Sequence, residues 1–201
     1  MLRRSLAVVA TLAATLAVAP FAAGALVHIR VEGKTQTIFG STQPRTSAAT
    51  PLDALLAAAR AGEFYAHIAS SSFGNYVDQI GFYPASGSSG WVFKVNGASP
   101  PVGADQVQLK DGDVVEWYWA TFGASGGPPT LSLTKVQGRC YRVVEQDDSG
   151  KISAAAGAVL HVDGRTVRTQ GGTGGAMACL PGRHGPVWAT LAGAVRSNKL
   201  P

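Results

Sequence analysis

The chain has 201 residues, with 17 Lys and Arg against 12 Asp and Glu, 25 Gly and 11 Pro. At 46% apolar and 14% charged it has the make-up of a turn-rich, β-leaning globular protein, which excludes helix bundles, coiled coils and disordered chains. Arg3 and Arg4 fall in an expected targeting segment, and without them 15 basic residues face 12 acidic ones, a balance that gives no reason to expect a surface for nucleic acid or another polyanion.

Met1-Leu-Arg-Arg4 is a positive opening, Ser5 to Ala23 is almost wholly Ala, Leu and Val, and Ala23-Gly24-Ala25 puts small residues at −3 and −1 of a cleavage point. This pattern predicts a signal peptide over residues 1–25, removed after Ala25 by the general or the twin-arginine route. The alternative is an uncleaved anchor, since Leu6 to Ala23 is 18 residues, the lower edge of a membrane span. The mature protein is expected to be exported, secreted or held at the cell surface, with membrane contact only through that segment if it stays.

Val27-His-Ile-Arg-Val-Glu-Gly33 alternates apolar and polar residues, turns at Glu-Gly-Lys, and resumes a strand pattern from Thr35 to Phe39, so a β-hairpin is predicted. Thr50 is a good N-cap and Pro51 suits the first helical position. Leu52, Leu55, Leu56 and Ala59 then make one apolar stripe before Gly62 ends the helix. Strands are expected next at Tyr76–Tyr83, at Trp91–Val95 before an Asn96-Gly97 turn, and at Gln106–Trp119, the last broken at Lys110-Asp-Gly-Asp113. One helix covering a mixed sheet is a β-grasp-like α+β arrangement for residues 26–122.

Thr50-Pro-Leu-Asp-Ala-Leu-Leu-Ala-Ala-Ala59, Tyr76-Val-Asp-Gln-Ile-Gly81, Gly90-Trp-Val-Phe-Lys-Val-Asn-Gly97 and Leu109-Lys-Asp-Gly-Asp-Val-Val-Glu-Trp-Tyr118 resemble the transcobalamin C-terminal-like domain family. That resemblance covers nearly all of residues 26–122. It implies the β-rich lobe that closes over cobalamin in vertebrate carriers, here without a counterpart of their large helical domain.

Gly123-Ala-Ser-Gly-Gly-Pro-Pro-Thr130 has no apolar periodicity and reads as a linker, which implies few contacts between residues 26–122 and residues 131–201. Residues 131–201 alternate through Cys140–Val144, turn at Asp147–Gly150, and form a hairpin from Ala158–Val162 through Asp163-Gly164 to Arg165–Thr169. Further strands are expected at Ala176–Leu180 and Pro186–Thr190, together a small all-β sandwich. Gly157–Arg165, Leu180-Pro-Gly-Arg183 and Val187–Thr190 are similar to carboxypeptidase-regulatory or immunoglobulin-like modules, which implies a spacing or adhesive role. Cys140 and Cys179 are expected to pair, because export places them in an oxidising compartment and neither belongs to a Cys-x-x-Cys or metal-ligand pattern.

No catalytic constellation is assembled from these residues. His28, His67, His161 and His184 have no His, Cys or carboxylate at ligand spacing, no Gly-x-Ser-x-Gly elbow frames a serine, and no metal or cofactor is implied. Asp147-Asp-Ser-Gly150 lacks a calcium-loop spacing and reads as a solvated turn, and Gly171-Gly-Thr-Gly-Gly175 reads as a hairpin tip. The aromatic set Tyr76, Phe82, Tyr83, Trp91, Phe93, Trp117, Tyr118 and Trp119 carries the most functional promise. By alternation Trp91, Phe93 and Val95 share one sheet face, as do Val115, Trp117 and Trp119. These rings are either core packing or, at Tyr83, Trp91, Trp117 and Trp119, a platform for a ligand with a flat or apolar face. The expectation is an exported non-catalytic binding protein whose partner is a small molecule, a glycan or an envelope protein. Its rivals are a structural envelope protein with no small-molecule site, a corrinoid-binding lobe and an enzyme accessory subunit.

Overall fold

A computed structural model describes residues 24–72, 74–124, 126–171 and 175–201. Residues 1–23 of the expected signal peptide and residues 172–174 of the expected glycine tip lie outside that set. The described chain is mostly β, with one helix.

The first hairpin forms as expected from β1 (Ala25–Glu32) and β2 (Thr37–Phe39). A strand absent from the sequence prediction, β3 (Arg45–Ala48), pairs with the first half of β1. Helix α1 (Pro51–Ala61) starts at a reciprocal cap: Thr50 Oγ1 accepts from Asp53 N at 3.1 Å, and the Asp53 carboxylate accepts from Thr50 N at 3.1 Å. Its buried face is Pro51, Ala54, Leu55 and Ala58, rotated from the expected Leu52, Leu55, Leu56, Ala59 stripe. Small residues let the helix sit close to the sheet, and Leu52 and Leu56 flank the contact half-buried.

Next, β4 (Ala66–Ser71), β5 (Gly74–Ile80) and β6 (Tyr83–Pro84) make a small antiparallel sheet. Strand β7 (Ser89–Val95) turns at Asn96-Gly97, where both residues have positive φ, 53° and 85°, the backbone such a tight turn requires. Residues 98–113 contain no strand, so the expected one over Gln106–Trp119 is only its second half, β8 (Val114–Thr121). The backbone there is taken up otherwise, with Leu109 N donating to Ala49 O and the Asp113 carboxylate accepting from Lys110 N. Strand β8 runs parallel to β1, giving the order β2-β1-β8-β7.

The remainder is built from β9 (Thr130–Gln137), β10 (Cys140–Gln146), β11 (Ile152–Ala154), β12 (Val159–Val162), β13 (Arg165–Arg168), β14 (Ala176–Cys179) and β15 (Trp188–Thr190). Strands β9, β10, β11 and β14 form one sheet and β12, β13 and β15 another, enclosing Leu131, Leu133, Tyr141, Val143, Leu160 and Val187. Asp163-Gly164 makes the expected tight turn, with φ of 46° and 72°. Cys140 and Cys179 stand directly opposite each other on β10 and β14 and form the disulfide.

The expectation of few shared contacts across residues 123–130 is overturned. On the five-stranded sheet Val27, Ile29, Val31, Val115 and Trp117 belong to the core beneath α1. Alternation turns Arg30, Glu32, Lys94 and Glu116 to the opposite face, and all four are buried. The C-terminal half covers them. Arg30 donates to Arg196 O at 2.8 Å and lies 2.6 Å from Glu116; Arg196 reaches Glu32 at 2.9 Å; Lys94 donates to Gln146 O at 2.7 Å. Burial pushes the Glu32 and Glu116 carboxyls above the usual glutamate range, with the neighbouring guanidinium groups opposing it, and pushes the Lys94 ammonium down.

This shared network should make the two halves melt as one cooperative unit. Arg30→Met leaves Glu32 and Glu116 buried short of a cation and should cost about 3–5 kcal/mol, seen as one earlier melting transition that takes both halves together. Reducing Cys140–Cys179, whose loop closure contributes about 4 kcal/mol in the chain-entropy model, should likewise lower a single transition. Two separable transitions in calorimetry of either protein would show that the halves melt alone.

Candidate functional site

Strands β7 and β8 place Trp91 opposite Trp119, Phe93 opposite Trp117 and Val95 opposite Val115, so the shared face read from alternation is present. Burial divides the four expected platform residues. Trp91 and Trp117 are core residues, 7% and 2% exposed, and their ring N–H groups are already used, donating to Tyr83 O at 2.8 Å and Pro51 O at 3.0 Å. Trp119 and Tyr83 are half-buried. The ring centroids of Tyr83, Trp91 and Trp119 lie 5.5–6.5 Å from one another, while Trp117 packs on Phe93 at 5.2 Å. Three of the four are thus brought together, and the fourth joins the core under α1.

Beside β7 runs a groove of about 290 Å³, whose lining includes Tyr76, Trp91, Phe93, Pro100, Ala104 and Phe122. Its rim exposes two large rings, Tyr76 at 52% and Phe122 at 42%. Among the described residues the strand edge facing it has a backbone gap. Val95 exchanges hydrogen bonds with Ala98 across the Asn96-Gly97 turn, and Ser89 exchanges them with Ser86. By alternation the N–H and C=O groups of Trp91 and Phe93 point the same way, between those two closed pairs and toward the groove.

Polar groups at this site are few. Asn75 Nδ2 donates to Asp105 Oδ2 at 3.1 Å, and Asp105 Oδ1 is buried with no hydrogen-bond partner. Tyr118 OH donates to Asp148 at 3.3 Å, and burial, reinforced by that carboxylate, pushes the phenol well above its ordinary value so that it stays protonated. Sequence reasoning named Tyr76, Trp91 and Phe93 but missed Pro100, Ala104 and Phe122. The signal for Pro100 and Ala104 was the apolar, proline-bearing stretch Ala98–Ala104, which has no period and so reads only as a loop.

The histidines are used locally. His28 bonds Gln43 O, His67 pairs with Asp78, His161 meets Thr190 and stacks on Trp188, and His184 contacts Tyr141. Among the described residues no group of three His, Cys, Asp or Glu side chains could hold a metal ion. Asp147 caps its own turn, and its hydrogen bonds from Ser149 and Lys151 hold the carboxyl below the usual range.

Residues 50–121 match the family described as Domain of unknown function (DUF4430), the transcobalamin-like family to which the quoted motifs were compared. The match runs from the N-cap of α1 to the last residue of β8, and the expected coverage back to residue 26 is not part of it. No curated protein matches the chain.

Stability separates floor from rim in this aromatic set. Trp117→Ala, which opens a core cavity and removes the indole bond to Pro51 O, should cost about 3–5 kcal/mol in chemical denaturation. Trp119→Ala and Tyr76→Ala should each cost clearly less. Equal losses at all three positions would make every ring a core residue.

Proposed function

We propose that this is an exported, non-catalytic binding protein. In this reading a β-grasp-like unit over residues 26–122 carries the ligand site, and a disulfide-tied β-sandwich over 131–201 spaces or docks it. The observation that carries the reading is the groove beside β7: an apolar trough whose rim exposes Tyr76 and Phe122 and along whose strand edge the backbone groups of Trp91 and Phe93 have no backbone partner among the described residues. Such a site favours a ligand with a flat or extended apolar face that can also bond a strand edge. The strand order β2-β1-β8-β7, with β1 and β8 parallel and α1 across one face, supports the β-grasp reading of that unit.

One observation favours the rival, a structural envelope protein without a small-molecule site. Trp91 and Trp117, half of the expected platform, are closed over by the protein's own side chains. The groove decides between the two. Mature protein is titrated with apolar peptides, a flat aromatic dye and a corrinoid, read by tryptophan fluorescence, because Trp91 and Trp117 line the groove. Binding that Tyr76→Ala and Phe122→Ala each weaken at least tenfold supports the site. No fluorescence change with any probe, or binding indifferent to both substitutions, favours the rival.

Export is supported by the disulfide and by the surroundings of the expected cleavage point. No helix among the described residues is long and apolar enough to cross a membrane. Leu26 N donates to the Asp111 carboxylate at 2.7 Å, so cleavage after Ala25 would put the new α-ammonium beside an acidic partner. N-terminal sequencing of protein recovered from outside the cytoplasm should therefore begin at Leu26. A membrane-bound form still starting at Met1 would establish the anchor instead.

A further inference from the structure

Two more clefts open along the seam between the halves, on either side of the β1–β2 turn, and both are lined by Arg196. One, of about 420 Å³, has Thr35, Gln36, Ser41, Trp188 and Lys199 in its wall, and the other, of about 510 Å³, has Lys34, Ser89, Trp119 and Thr121. Every charged residue lining either cleft is a cation: Lys34, Arg196 and Lys199. The nearest carboxylate in the chain's own network, Glu32, is fully buried and its two oxygens are taken by Thr37 and Arg196.

The aromatic groups repeat the same unit in each cleft. The Lys34 ammonium lies 4.3 Å from the centre of the Trp119 ring, and the Lys199 ammonium lies 4.7 Å from that of Trp188. Both tryptophans are half-buried, and one face of Trp188 is already taken by the stacked His161 ring. A half-exposed indole can take the apolar C–H side of a pyranose on its ring face once the ammonium there, on a flexible stem, swings to an anionic substituent of the sugar. Hydroxyl and amide groups of Thr35, Gln36, Ser41, Ser89 and Thr121 supply the neutral hydrogen bonds a sugar's hydroxyls need.

We propose that this seam binds an anionic sugar polymer, with Trp119 as its stacking face and Lys34 and Lys199 as partners of its carboxylate or other acidic groups, Arg196 being held by Glu32. The site is separate from the groove beside β7: the two linings have no residue in common. It also qualifies the charge balance of the sequence. A small net charge excludes a molecule that is basic all over, and it says nothing about three cations gathered at one seam.

The test is calorimetric titration of mature protein with oligogalacturonate, a sulfated dextran, neutral dextran and polyglutamate at low and moderate salt. Oligogalacturonate or the sulfated dextran should bind with affinity that falls as salt rises, neutral dextran should not, and polyglutamate should bind at least tenfold more weakly. Which of the first two binds more tightly tells whether carboxylates or sulfate-type groups are preferred. Trp119→Ala and Lys34→Gln should each weaken sugar binding at least fivefold, while Tyr76→Ala, in the other groove, should leave it unchanged. Lys34 is exposed, so Lys34→Gln keeps the test valid if Trp119→Ala fails to fold. Polyglutamate bound as tightly as the sugars with Trp119→Ala without effect, or no binding of either acidic polysaccharide, would overturn the proposal.

Discussion

The buried charges between the five-stranded sheet and the C-terminal half constrain everything else. Arg30, Glu32 and Glu116 are each at least nine-tenths buried, Lys94 is fully so, and Arg196 closes the set from the other half. Such a cluster gains little net stability over a well-packed apolar one, because desolvation offsets most of the Coulomb attraction. Its effect is on geometry. Arg30 has its two Nη groups committed to Arg196 O and Leu131 O, and Lys94 Nζ to Gln146 O, so any sliding of one half over the other strands a buried charge without its partner. The apolar contacts on either side of this layer could tolerate a slide, but these directional bonds cannot.

That layer also explains where sequence reading succeeded and where it stopped. Local chemistry was legible: the Thr50–Asp53 cap, the Asn96-Gly97 and Asp163-Gly164 turns, and the Cys140–Cys179 pair each depend on neighbours in sequence or on compartment. The alternation of Val27-His-Ile-Arg-Val-Glu was legible as a strand, but alternation ordinarily means one face in water. Here the polar face is buried, and nothing in β1 itself says so. The parallel pairing of β1 with β8 and the wrapping of Arg196 onto Glu32 join residues far apart in the chain, which periodicity cannot see.

The candidate site divides in the same way. Trp91, Trp117, Trp119 and Tyr83 were identifiable as a set, because strand alternation puts three of them on one face. Which of them would be covered depended on α1, whose contact face is Pro51, Ala54, Leu55 and Ala58 rather than the stripe of Leu52, Leu55, Leu56 and Ala59. A helix seated that closely closes over Trp117 and leaves Trp119 half-open. The stripe rule failed because Leu52 and Leu56 were weighted by hydrophobicity, whereas close approach to a sheet carrying tryptophans selects for small volume.

With both faces occupied, one by α1 and the other by the C-terminal half, the main sheet has only edges and seams left open. The edge of β7 is apolar because the core aromatics continue to its rim, and it keeps backbone groups free only where neither flanking turn pairs them. The seam is basic for a different reason. Sealing Glu32 and Glu116 into the interface withdraws acidic groups from the surface, while Lys34, Arg196 and Lys199 stay within reach of its two clefts. The same burial that locks the two halves together spends Arg196 on Glu32 and leaves Lys34 and Lys199 as the positive charges of the rim where they meet.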